Sequence, residues 1–581
     1  MKTSQIRRRE PGPVGDLPGA LHPVLRRVYA ARGVHEPGQL ALELKHLLAP
    51  TQLLGIDTAC AVLAEAIRDE RRIVIAGDYD ADGATACAVA VLGLRALGAK
   101  YVDYVVPNRF TMGYGLSPPL VELARERGAQ VLVTVDNGVA SLAGVAAANA
   151  AGLRVVITDH HLAGPQLPLA DAIVNPNQPG CGFPSKHLAG VGVMFYVLLA
   201  LRARLRTSGA FESKPEPHLA ELLDLVALGT VADVVRLDYN NRILVAQGLV
   251  RIRAGRARPG LLALLEAGGR SHGRINSADL GFVLGPRLNA AGRLDDMRVG
   301  IECLLAPDLK TARPMARQLD ALNRERRVIE AQMRDDALER VADCEEIGVT
   351  LFEPDWHEGV VGLVASRVKD ALHRPVIAFA PSGERGLLKG SGRSIPGLHL
   401  RDALANIDAR HPGLITRFGG HAMAAGLSLP EAALAAFGTV FDAECRALLE
   451  PAALDRTIET DGELSAGEFA LDTAQVLETA GPWGQGFPEP RFEGRFTVED
   501  LRPIGADGRH VRYRLRTADG ETVNAVHFNG AEVAIEDGSL HAVYQLSINR
   551  FRERETLELK LDHVAAVNGA GDGLAIEEQG R

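Results

Sequence analysis

RRIVIAGDYDADG, residues 71–83, joins a short apolar run to three closely spaced aspartates and a glycine. The β-branched residues of the run predict a buried strand, and the Ala-rich stretch after Gly83 predicts a helix. Comparable apolar runs follow in YVDYVVP, VLVTVDNG, LRVVITDHH and ADAIVNPN. Buried strands that alternate with helices are typical of a mostly parallel sheet covered on both faces. We therefore expect an α/β domain with a doubly wound parallel sheet.

The chain is too long for a single domain, because its 581 residues exceed what one hydrophobic core usually organises. Residues 308 to about 343 are dense in charge and contain few helix breakers apart from Pro314, which predicts one long exposed helix. A second α/β unit begins at EEIGVTLFEPDW, and the short strands after residue 456 predict an all-β barrel. The predicted segments are an N-terminal segment 1–44, an α/β domain 45–300, a connecting helix 301–343, a second α/β domain 344–455, an all-β domain 456–566 and a flexible tail 567–581.

Composition indicates the cellular compartment. No apolar stretch is long enough for a transmembrane helix, and no apolar segment follows the Arg-rich start to form a signal peptide. The six cysteines form no C-x-x-C pair, so we expect reduced, buried thiols and neither a zinc site nor a disulfide framework. The net charge of −9 argues against a protein that coats nucleic acid over its whole surface, although it permits a local basic groove. We expect a cytoplasmic monomer with no membrane partner.

Asp78, Asp80 and Asp82 repel one another unless a positive group lies among them. A calcium-binding EF-hand loop starts with the same D-x-D-x-D-G pattern, but it requires a glutamate where this chain has Val89 and a helix where it has a predicted strand. A second interpretation is a turn in which the aspartates accept hydrogen bonds from backbone amides. The polar residues that follow other elements favour a metal site over both.

Further carboxylates and imidazoles follow other predicted elements: Asp136 follows one strand, Asp159, His160 and His161 follow the next, and Asp233 ends a helical stretch. The carboxyl ends of parallel strands face one crevice, where gathered carboxylates are costly unless cations neutralise them. Oxygen and imidazole ligands without thiolate favour Mn²⁺ first, Mg²⁺ next and Zn²⁺ less. Since these groups exceed what one ion needs, we expect two ions and the hydrolysis of a phosphoester.

The motifs DYDADG, VDNG, TDHH and GTVADVV resemble, in order and approximate spacing, the four motifs of the DHH phosphoesterase superfamily. WHEGVVGLVASR, GSGRSI, RFGGHAMAAG and GPWGQGFPEPRF are similar to later motifs of the single-strand-specific 5′→3′ exonucleases in that superfamily. The resemblance runs from about residue 45 to 565, and it departs from the usual pattern at Trp483, where relatives have phenylalanine. It implies an enzyme that removes mononucleotides from the 5′ end of single-stranded DNA in recombination and repair.

The resemblance also implies roles for single residues. The implied metal ligands are Asp80, Asp82, Asp136, His160 and Asp233, with Asp136 as the bridge between two Mn²⁺ or Mg²⁺ ions and Asp78 as a further ligand. Asp159 would orient an imidazole, and His161 would contact the scissile phosphate. The implied catalytic residues are thus Asp136, Asp159, His160 and His161.

An exonuclease must also hold the end of its strand, and a terminal phosphate requires charge-assisted donors near the metals. The candidate DNA-binding residues are Arg109, Tyr114, Arg287, Asn289, Ser391, Gly392, Arg393 and His421. The alternatives are exposed loop arginines and, around His421, a tight turn that packs a helix on a sheet. Arg293 is either part of the DNA path or paired with Asp295 or Asp296.

The predicted barrel alternates cationic and aromatic residues along its strands. These residues are Arg509, Arg512, Arg514, Arg516, Arg550, Arg552, Arg554, Tyr513 and Phe551. The pattern suits an oligonucleotide/oligosaccharide-binding (OB) fold, in which bases stack on rings and phosphates contact guanidinium groups. The alternative is a solvated strand face on which glutamates pair with the arginines.

Two other functions remain open at this point. One is a DHH hydrolase that acts on pyrophosphate, cyclic dinucleotides or very short RNA, although the added barrel counts against it. The other is a catalytically silent DNA-binding or scaffold protein, although the full set of candidate ligands counts against that. The resemblance further implies single-strand-binding protein and a helicase as partners, beside single-stranded DNA.

Overall fold

The computed structural model describes residues 5–109, 111–505, 508–535, 538–552 and 554–567. The α-helices are α1 Pro23–Ala30, α2 Ile56–Arg68, α3 Ala81–Ala96, α4 Pro118–Glu126, α5 Leu142–Ala150, α6 Gly190–Thr207, α7 Leu223–Ala232, α8 Tyr239–Arg253, α9 Pro259–Ala267, α10 Ser277–Asp279, α11 Gly285–Leu294, α12 Arg298–Leu305, α13 Leu309–Arg340, α14 Val361–Leu372, α15 Leu400–Arg410, α16 Leu434–Leu448 and α17 Leu471–Thr479. The strands are β1 Gln5–Arg8, β2 Ile73–Ala76, β3 Val102–Val105, β4 Val131–Val135, β5 Arg154–Thr158, β6 Ala172–Val174, β7 Val349–Phe352, β8 Val376–Pro381, β9 Leu387–Arg393, β10 Arg417–Gly420, β11 Ala424–Pro430, β12 Thr457–Thr460, β13 Phe492–Ile504, β14 His510–Arg516, β15 Thr522–His527, β16 Ser539–Phe551 and β17 Arg554–Ala566. The described chain divides into a larger unit, residues 42–456 with 484–486, and a smaller unit, residues 5–41, 457–483 and 487–567.

The larger unit begins with a fully parallel sheet in the order β3-β2-β4-β5-β6. Every residue of β2 and β4 is buried, which agrees with their continuous runs of β-branched side chains. Helices α3 and α6 pack against each other, and α4 and α5 contact one core with Val74, Leu132 and Ile157. The predicted doubly wound α/β fold is confirmed.

The predicted long helix is present as α13, but its prediction as a wholly exposed helix is wrong for one face. The buried positions follow the alternating spacing of four and three residues that places side chains on one side of a helix: Ala312, Ala316, Leu319, Asn323, Arg326, Glu330, Met333 and Ala337. Polar residues occupy the middle of this stripe. They obscure the apolar periodicity, so the sequence pattern resembles that of a solvated helix.

A second sheet in the larger unit has the order β10-β11-β9-β8-β7. Strands β7 and β8 are parallel, whereas β8, β9, β11 and β10 pair in antiparallel fashion. The rings of Phe379, Phe437 and Phe441 are buried between this sheet and helices α15 and α16. The second predicted α/β unit is therefore confirmed, with a mixed sheet.

The smaller unit contains a closed barrel in the order β13-β14-β15-β17-β16, as expected of an OB fold. Strand β1 pairs with β12 in parallel, so residues from the start of the chain belong to the same compact unit as the barrel. A fully buried ion pair joins Arg32 to Asp461 at 2.7 Å. Residues 568–581, which contain nearly all of the predicted flexible tail, lie outside the described residues.

Two further sequence expectations concern thiols and membranes. Cys60, Cys87, Cys303 and Cys445 are buried, whereas Cys181 and Cys344 are only partly buried, so the expectation of burial is wrong for those two. Within the described ranges, no single helix has the length and apolar character to cross a bilayer. The segments Leu44–Gln52 and Ile56–Arg68 meet those criteria only when taken together, and a 90° bend separates them.

Candidate metal centre

Side chains from distant segments converge at the carboxyl edge of the parallel sheet in the larger unit. Within the part of the chain that the structure describes, three groups of carboxylates and imidazoles have potential ligand atoms within 4.8 Å of one another. These groups are Asp78, Asp80 and Asp136; Asp82, His160 and Asp233; and Asp136, His160 and His161. All candidate metal ligands predicted from the sequence belong to this cluster.

The aspartate triplet lies where strand β2 passes into helix α3. Asp80 is the N-cap of α3, and its carboxylate accepts a hydrogen bond from Gly83 N at 2.9 Å. Asp82 lies in the first turn and accepts hydrogen bonds from the backbone N–H groups of Gly190 at 2.6 Å and Val191 at 3.0 Å. These two donors begin helix α6, where the helix dipole favours a negative charge.

Asp136 follows strand β4 with a φ of 63°, a left-handed conformation that aspartate tolerates better than most residues. Helix α6 comes so close to it that a Cβ on Gly190 would lie 2.5 Å from the Asp136 Cβ. Asp136 is buried at the centre of the cluster, and it belongs to two of the three groups. Its position is the one expected of a carboxylate shared between two cations.

Asp159 differs from the other carboxylates because its oxygens are already engaged. Its Oδ1 accepts hydrogen bonds from His160 N at 2.7 Å and His161 N at 3.1 Å, and its Oδ2 accepts one from Val139 N at 2.8 Å. The Nδ1 of His161 lies 2.8 Å from Asp159 Oδ1. Burial would raise the pKa of Asp159, but these bonds and the adjacent imidazoles lower it. Asp159 is thus arranged to orient His161 rather than to bind a cation.

The remaining carboxylates carry an unfavourable negative charge. Burial, and next the charge of Asp233, raise the pKa of Asp82 to about 7. Burial, and next the charge of Asp80, raise the pKa of Asp233 to about 8. Burial and the neighbouring aspartates raise the pKa values of Asp78 and Asp136 well above the usual range. One negative charge here destabilises the next, and the nearby His161 and Arg109 only partly offset the effect of burial on Asp78.

Buried polar atoms without hydrogen-bond partners show where positive charge is needed. Asp78 Oδ1, Asp136 Oδ1 and His160 Nε2 are buried and have no hydrogen-bond partner. His160 Nε2 nevertheless lies 3.1 Å from Asp136 Oδ1 and 3.5 Å from Asp233 Oδ2. Burial, and next the charge of His161, lower the pKa of His160, which favours the neutral imidazole that metals bind. These potential ligand atoms converge without forming hydrogen bonds to one another, an arrangement that suits the binding of divalent cations.

His161 is held between the two α/β parts of the larger unit. Its ring stacks on that of His421, with centroids 5.6 Å apart and an interplanar angle of 25°. The hydroxyl of Tyr114 donates to the Asp136 carbonyl at 3.0 Å and lies 3.2 Å from the His161 ring nitrogens. Burial would lower the pKa of His161, but the hydrogen bond and charge of Asp159 raise it to about 9. Asp159 therefore favours the protonated form of the His161 imidazole.

Three guanidinium groups gather beside the metal-ligand cluster. Arg109 lies over the Tyr79 ring at 4.8 Å, and Arg293 donates to the Gly359 carbonyl at 3.1 Å. Arg393 donates to Ser391 Oγ at 3.1 Å. Burial and the charges of Arg109 and Arg393 lower the pKa of Arg293, and burial and Arg109 lower that of Arg393. None of these three arginines forms an ion pair with a carboxylate of the described residues, so together they fit an anion.

Some candidate DNA-binding residues already contact protein groups. Arg287 pairs with Asp320 of α13 at 2.8 Å and also donates to the Val283 carbonyl at 2.6 Å. Asn289 accepts a hydrogen bond from Ala81 N at 2.8 Å. Ser391, Gly392 and Arg393 lie together at the end of β9, as expected from their adjacency.

Most of the barrel arginines pair with glutamates, which was the alternative interpretation of their sequence pattern. Arg514 and Arg516 pair with Glu499 at 3.2 and 2.6 Å, and Arg550 pairs with Glu478 at 2.6 Å. Tyr513 is buried inside the barrel, and Arg512 lies 3.6 Å from Glu558. Phe551 remains exposed, with Arg552 over its ring at 5.1 Å. The glutamates thus neutralise much of the predicted cationic face.

Two asparagines at the site were not identified as candidates from the sequence. The side chain of Asn175 donates to the His161 carbonyl at 2.9 Å, and that of Asn177 donates to the His160 carbonyl at 2.6 Å. Both follow strand β6 in the sequence NPN. The rule that located Asp136 and Asp159, polar residues at the carboxyl ends of parallel strands, also applies to these asparagines.

Three parts of this architecture match known family models. Residues 72–230 match the DHH family, N-terminal domain, residues 345–447 match the DHHA1 domain, and residues 460–563 match the RecJ OB domain. The single-stranded-DNA-specific exonuclease RecJ of Dickeya dadantii (strain 3937) is 52% identical, over 97% of this chain and 99% of that protein. The chain belongs to the RecJ family. The resemblance predicted from the sequence motifs is therefore confirmed.

Solved RecJ structures share the fold. RecJ from Thermus thermophilus in complex with Mn²⁺ superposes with a TM-score of 0.79 and 31% identity, over 96% of this chain and 78% of that one. The Mg²⁺ complex of the same protein gives a TM-score of 0.74 and 30% identity, over 96% of this chain and 76% of that one. Both RecJ structures contain a divalent cation of the kind that the carboxylate cluster fits.

Proposed function

We propose that this protein is a Mn²⁺- or Mg²⁺-dependent exonuclease that degrades single-stranded DNA from its 5′ end to 5′-mononucleotides. The convergence of buried carboxylates with the unpartnered atoms Asp78 Oδ1, Asp136 Oδ1 and His160 Nε2 carries this proposal. Membership of the RecJ family supports the choice of single-stranded DNA as substrate. The proposed cellular role is recombination and repair in the cytoplasm, as a monomer that works with single-strand-binding protein and a helicase.

Two cations would be held by the ligands proposed from the sequence. The proposed ligands are Asp78, Asp80, Asp82, Asp136, His160 and Asp233. Asp136 belongs to two of the three groups and lies 3.1 Å from His160 of the third, and it is proposed as the bridge. Divalent cations at such a site activate water and offset the charge that develops on a phosphodiester.

The protein's own residues would orient the substrate. His161, whose pKa Asp159 raises, is placed to donate a hydrogen bond to a non-bridging oxygen of the scissile phosphate. His421 and Tyr114 confine its ring from two sides, which fixes the direction of that bond. We therefore assign catalytic roles to Asp136, Asp159, His160 and His161.

The terminal phosphate would lie among Arg109, Arg293 and Arg393. Burial, and next the charge of Arg109, lower the pKa values of Arg293 and Arg393, and none of the three guanidinium groups has a carboxylate partner in the described chain, so an anion would relieve their repulsion. Ser391 Oγ and the Gly392 carbonyl accept hydrogen bonds from the Arg393 guanidinium and so orient it. Phosphate binding at this position would place the 5′ end beside the metal ligands.

One assay separates this function from its rivals. Single-stranded DNA with a 5′ label, the matching blunt duplex and a cyclic dinucleotide are each incubated with Mn²⁺ and with a chelator. We expect labelled mononucleotide as the first product from the single strand, little product from the duplex, an intact cyclic dinucleotide and no turnover in chelator.

The rival functions predict other results from the same assay. Preferential cleavage of the cyclic dinucleotide would identify a small-substrate phosphodiesterase. Binding of DNA without any product would identify a silent scaffold. Release of oligonucleotides rather than mononucleotides would contradict attack at the terminal phosphodiester.

A further inference from the structure

Helix α11 contacts the segment that carries the aspartate triplet. The Oδ1 of Asn289 accepts a hydrogen bond from the backbone N–H of Ala81 at 2.8 Å. Ala81 lies between Asp80 and Asp82, and its N–H is among the first of α3, which have no acceptor within their own helix. A residue 208 positions away in sequence thus satisfies a backbone donor between two proposed metal ligands.

A second contact, one helical turn further along α11, fixes the same segment. A Cβ on Gly292 would lie 1.7 Å from the carbonyl oxygen of Tyr79, so only glycine permits this approach. Residues 289 and 292 are three apart and therefore lie on one face of the helix. That face covers the backbone from Tyr79 to Ala81.

Helix α11 is itself firmly anchored. The ion pair of Arg287 with Asp320 joins it to the long helix α13, and both side chains are buried. Its next residue after Gly292, Arg293, donates to the Gly359 carbonyl at 3.1 Å. The helix can therefore resist a displacement of the aspartate segment.

Such resistance is required by the charges at the site. The carboxylates of Asp78, Asp80, Asp82 and Asp136 repel one another before a cation arrives, and this repulsion tends to move the Tyr79–Ala81 segment away from β4. Asn289 is uncharged, so it opposes that movement without competing for the cation. Because Asn289 accepts a hydrogen bond from a backbone N–H, it influences where the carboxylates lie and does not itself bond to a carboxylate.

We propose that Asn289 is a positioning residue that holds the aspartate segment in the geometry required for divalent-cation binding. This inference rests on the proposed metal-dependent function. It assigns Asn289 a role that differs from the DNA contact expected from the sequence. Outer partners of metal ligands typically change metal affinity by about 10- to 100-fold when they are removed.

The test is calorimetric titration of Mn²⁺ into the full-length protein without DNA. Asn289→Ala removes the acceptor, and we expect its dissociation constant for Mn²⁺ to rise by about 10- to 100-fold. Asn289→Ser, whose hydroxyl is too short to reach Ala81, should behave as the alanine variant does and provides a second reading should that variant fold poorly.

The matched control is Gln130→Ala. Gln130 Oε1 accepts a hydrogen bond from Arg72 N at 2.9 Å, the same type of bond, at the opposite end of strand β2. We expect Gln130→Ala to leave the affinity for Mn²⁺ unchanged. A loss of affinity in this control equal to that of Asn289→Ala would mean that general destabilisation is responsible and would overturn the inference.

Activity measurements distinguish positioning from DNA contact. With Asn289→Ala, the Mn²⁺ concentration that gives half of the maximal rate should rise, while the rate at saturating Mn²⁺ approaches that of the unaltered protein. A lower rate at every Mn²⁺ concentration with unchanged Mn²⁺ affinity would overturn the inference in favour of the DNA contact. Failure of the unaltered protein to bind Mn²⁺ would instead refute the proposed function itself.

Discussion

Replacement of Asp136 by asparagine is expected to lower the hydrolysis rate by more than about 1,000-fold, equivalent to about 4 kcal/mol of transition-state stabilisation. Asp136 belongs to two of the three potential ligand groups, and its Oδ1 is buried without a hydrogen-bond partner. The asparagine has the same shape but lacks the charge that a shared cation requires. Steady-state turnover of 5′-labelled single-stranded DNA with saturating Mn²⁺ measures the effect.

Binding must be measured separately from turnover. Because the Asp136→Asn substitution would leave the guanidinium cluster unchanged, we expect the affinity for single-stranded DNA in chelator, read by fluorescence anisotropy, to stay within about threefold. The matched control is Asp171→Asn. Asp171 belongs to the same domain and accepts a hydrogen bond from Val155 N at 2.7 Å, far from the metal-ligand cluster. Retained turnover by the Asp136 variant would refute its assignment as a bridging ligand.

Replacement of Arg393 by glutamine is expected to remove the preference for a 5′-phosphate. Arg393 lies with Arg109 and Arg293 in a cluster without carboxylate partners among the described residues, and hydrogen bonds to charged groups contribute about 1.5–3 kcal/mol each. We therefore expect kcat/KM for 5′-phosphorylated single-stranded DNA to fall by about 10- to 100-fold. The value for the same strand with a 5′-hydroxyl should change by less than about threefold.

The control for this prediction is Arg417→Gln, because Arg417 is an exposed arginine of the same sheet. We expect it to alter neither substrate. Equal losses on the phosphorylated and the hydroxylated strand would show that Arg393 contacts DNA elsewhere or supports the fold, and would contradict a terminal-phosphate site.

The sequence predicts the sheets well because burial determines which residue types their strands contain. Strands β2, β4 and β5 consist mostly of Val, Ile and Thr, and nearly all of their residues are buried. Such continuous apolar runs are typical of strands covered on both faces. The buried face of α13 could not be predicted in the same way. Asn323, Arg326 and Glu330 occupy its buried stripe and hydrogen-bond to one another along the helix, while Arg367 of α14 also donates to Glu330. These polar side chains interrupt the apolar periodicity that would mark a buried face.

The candidate metal centre was predictable because the carboxyl ends of parallel strands lie at the same edge of the sheet. The convergence of Asp136 and Asp159 with Asp78 follows from the parallel order of the sheet. The same rule would have found Asn175 and Asn177. The partners of Arg287 and Asn289 were not predictable, because they depend on which face of α11 meets α3 and α13.

The barrel shows a further limit of sequence patterns. Arg514 and Arg516 alternate on β14 as a DNA-binding face would require, yet both pair with Glu499. Glu499 lies at a register shift between Val498 and Asp500, a bulge on strand β13. A bulge re-aims one side chain in a way that alternation along a strand does not reveal.

The central claim is that these segments enclose a pair of divalent cations. Crystals of the protein soaked in Mn²⁺ and measured at the manganese absorption edge test it most directly. We predict two anomalous peaks, one among Asp82, His160 and Asp233 and one among Asp78, Asp80 and Asp136, with Asp136 in contact with both. An absence of manganese from this cluster at saturating Mn²⁺, with these side chains directed apart, would contradict the account.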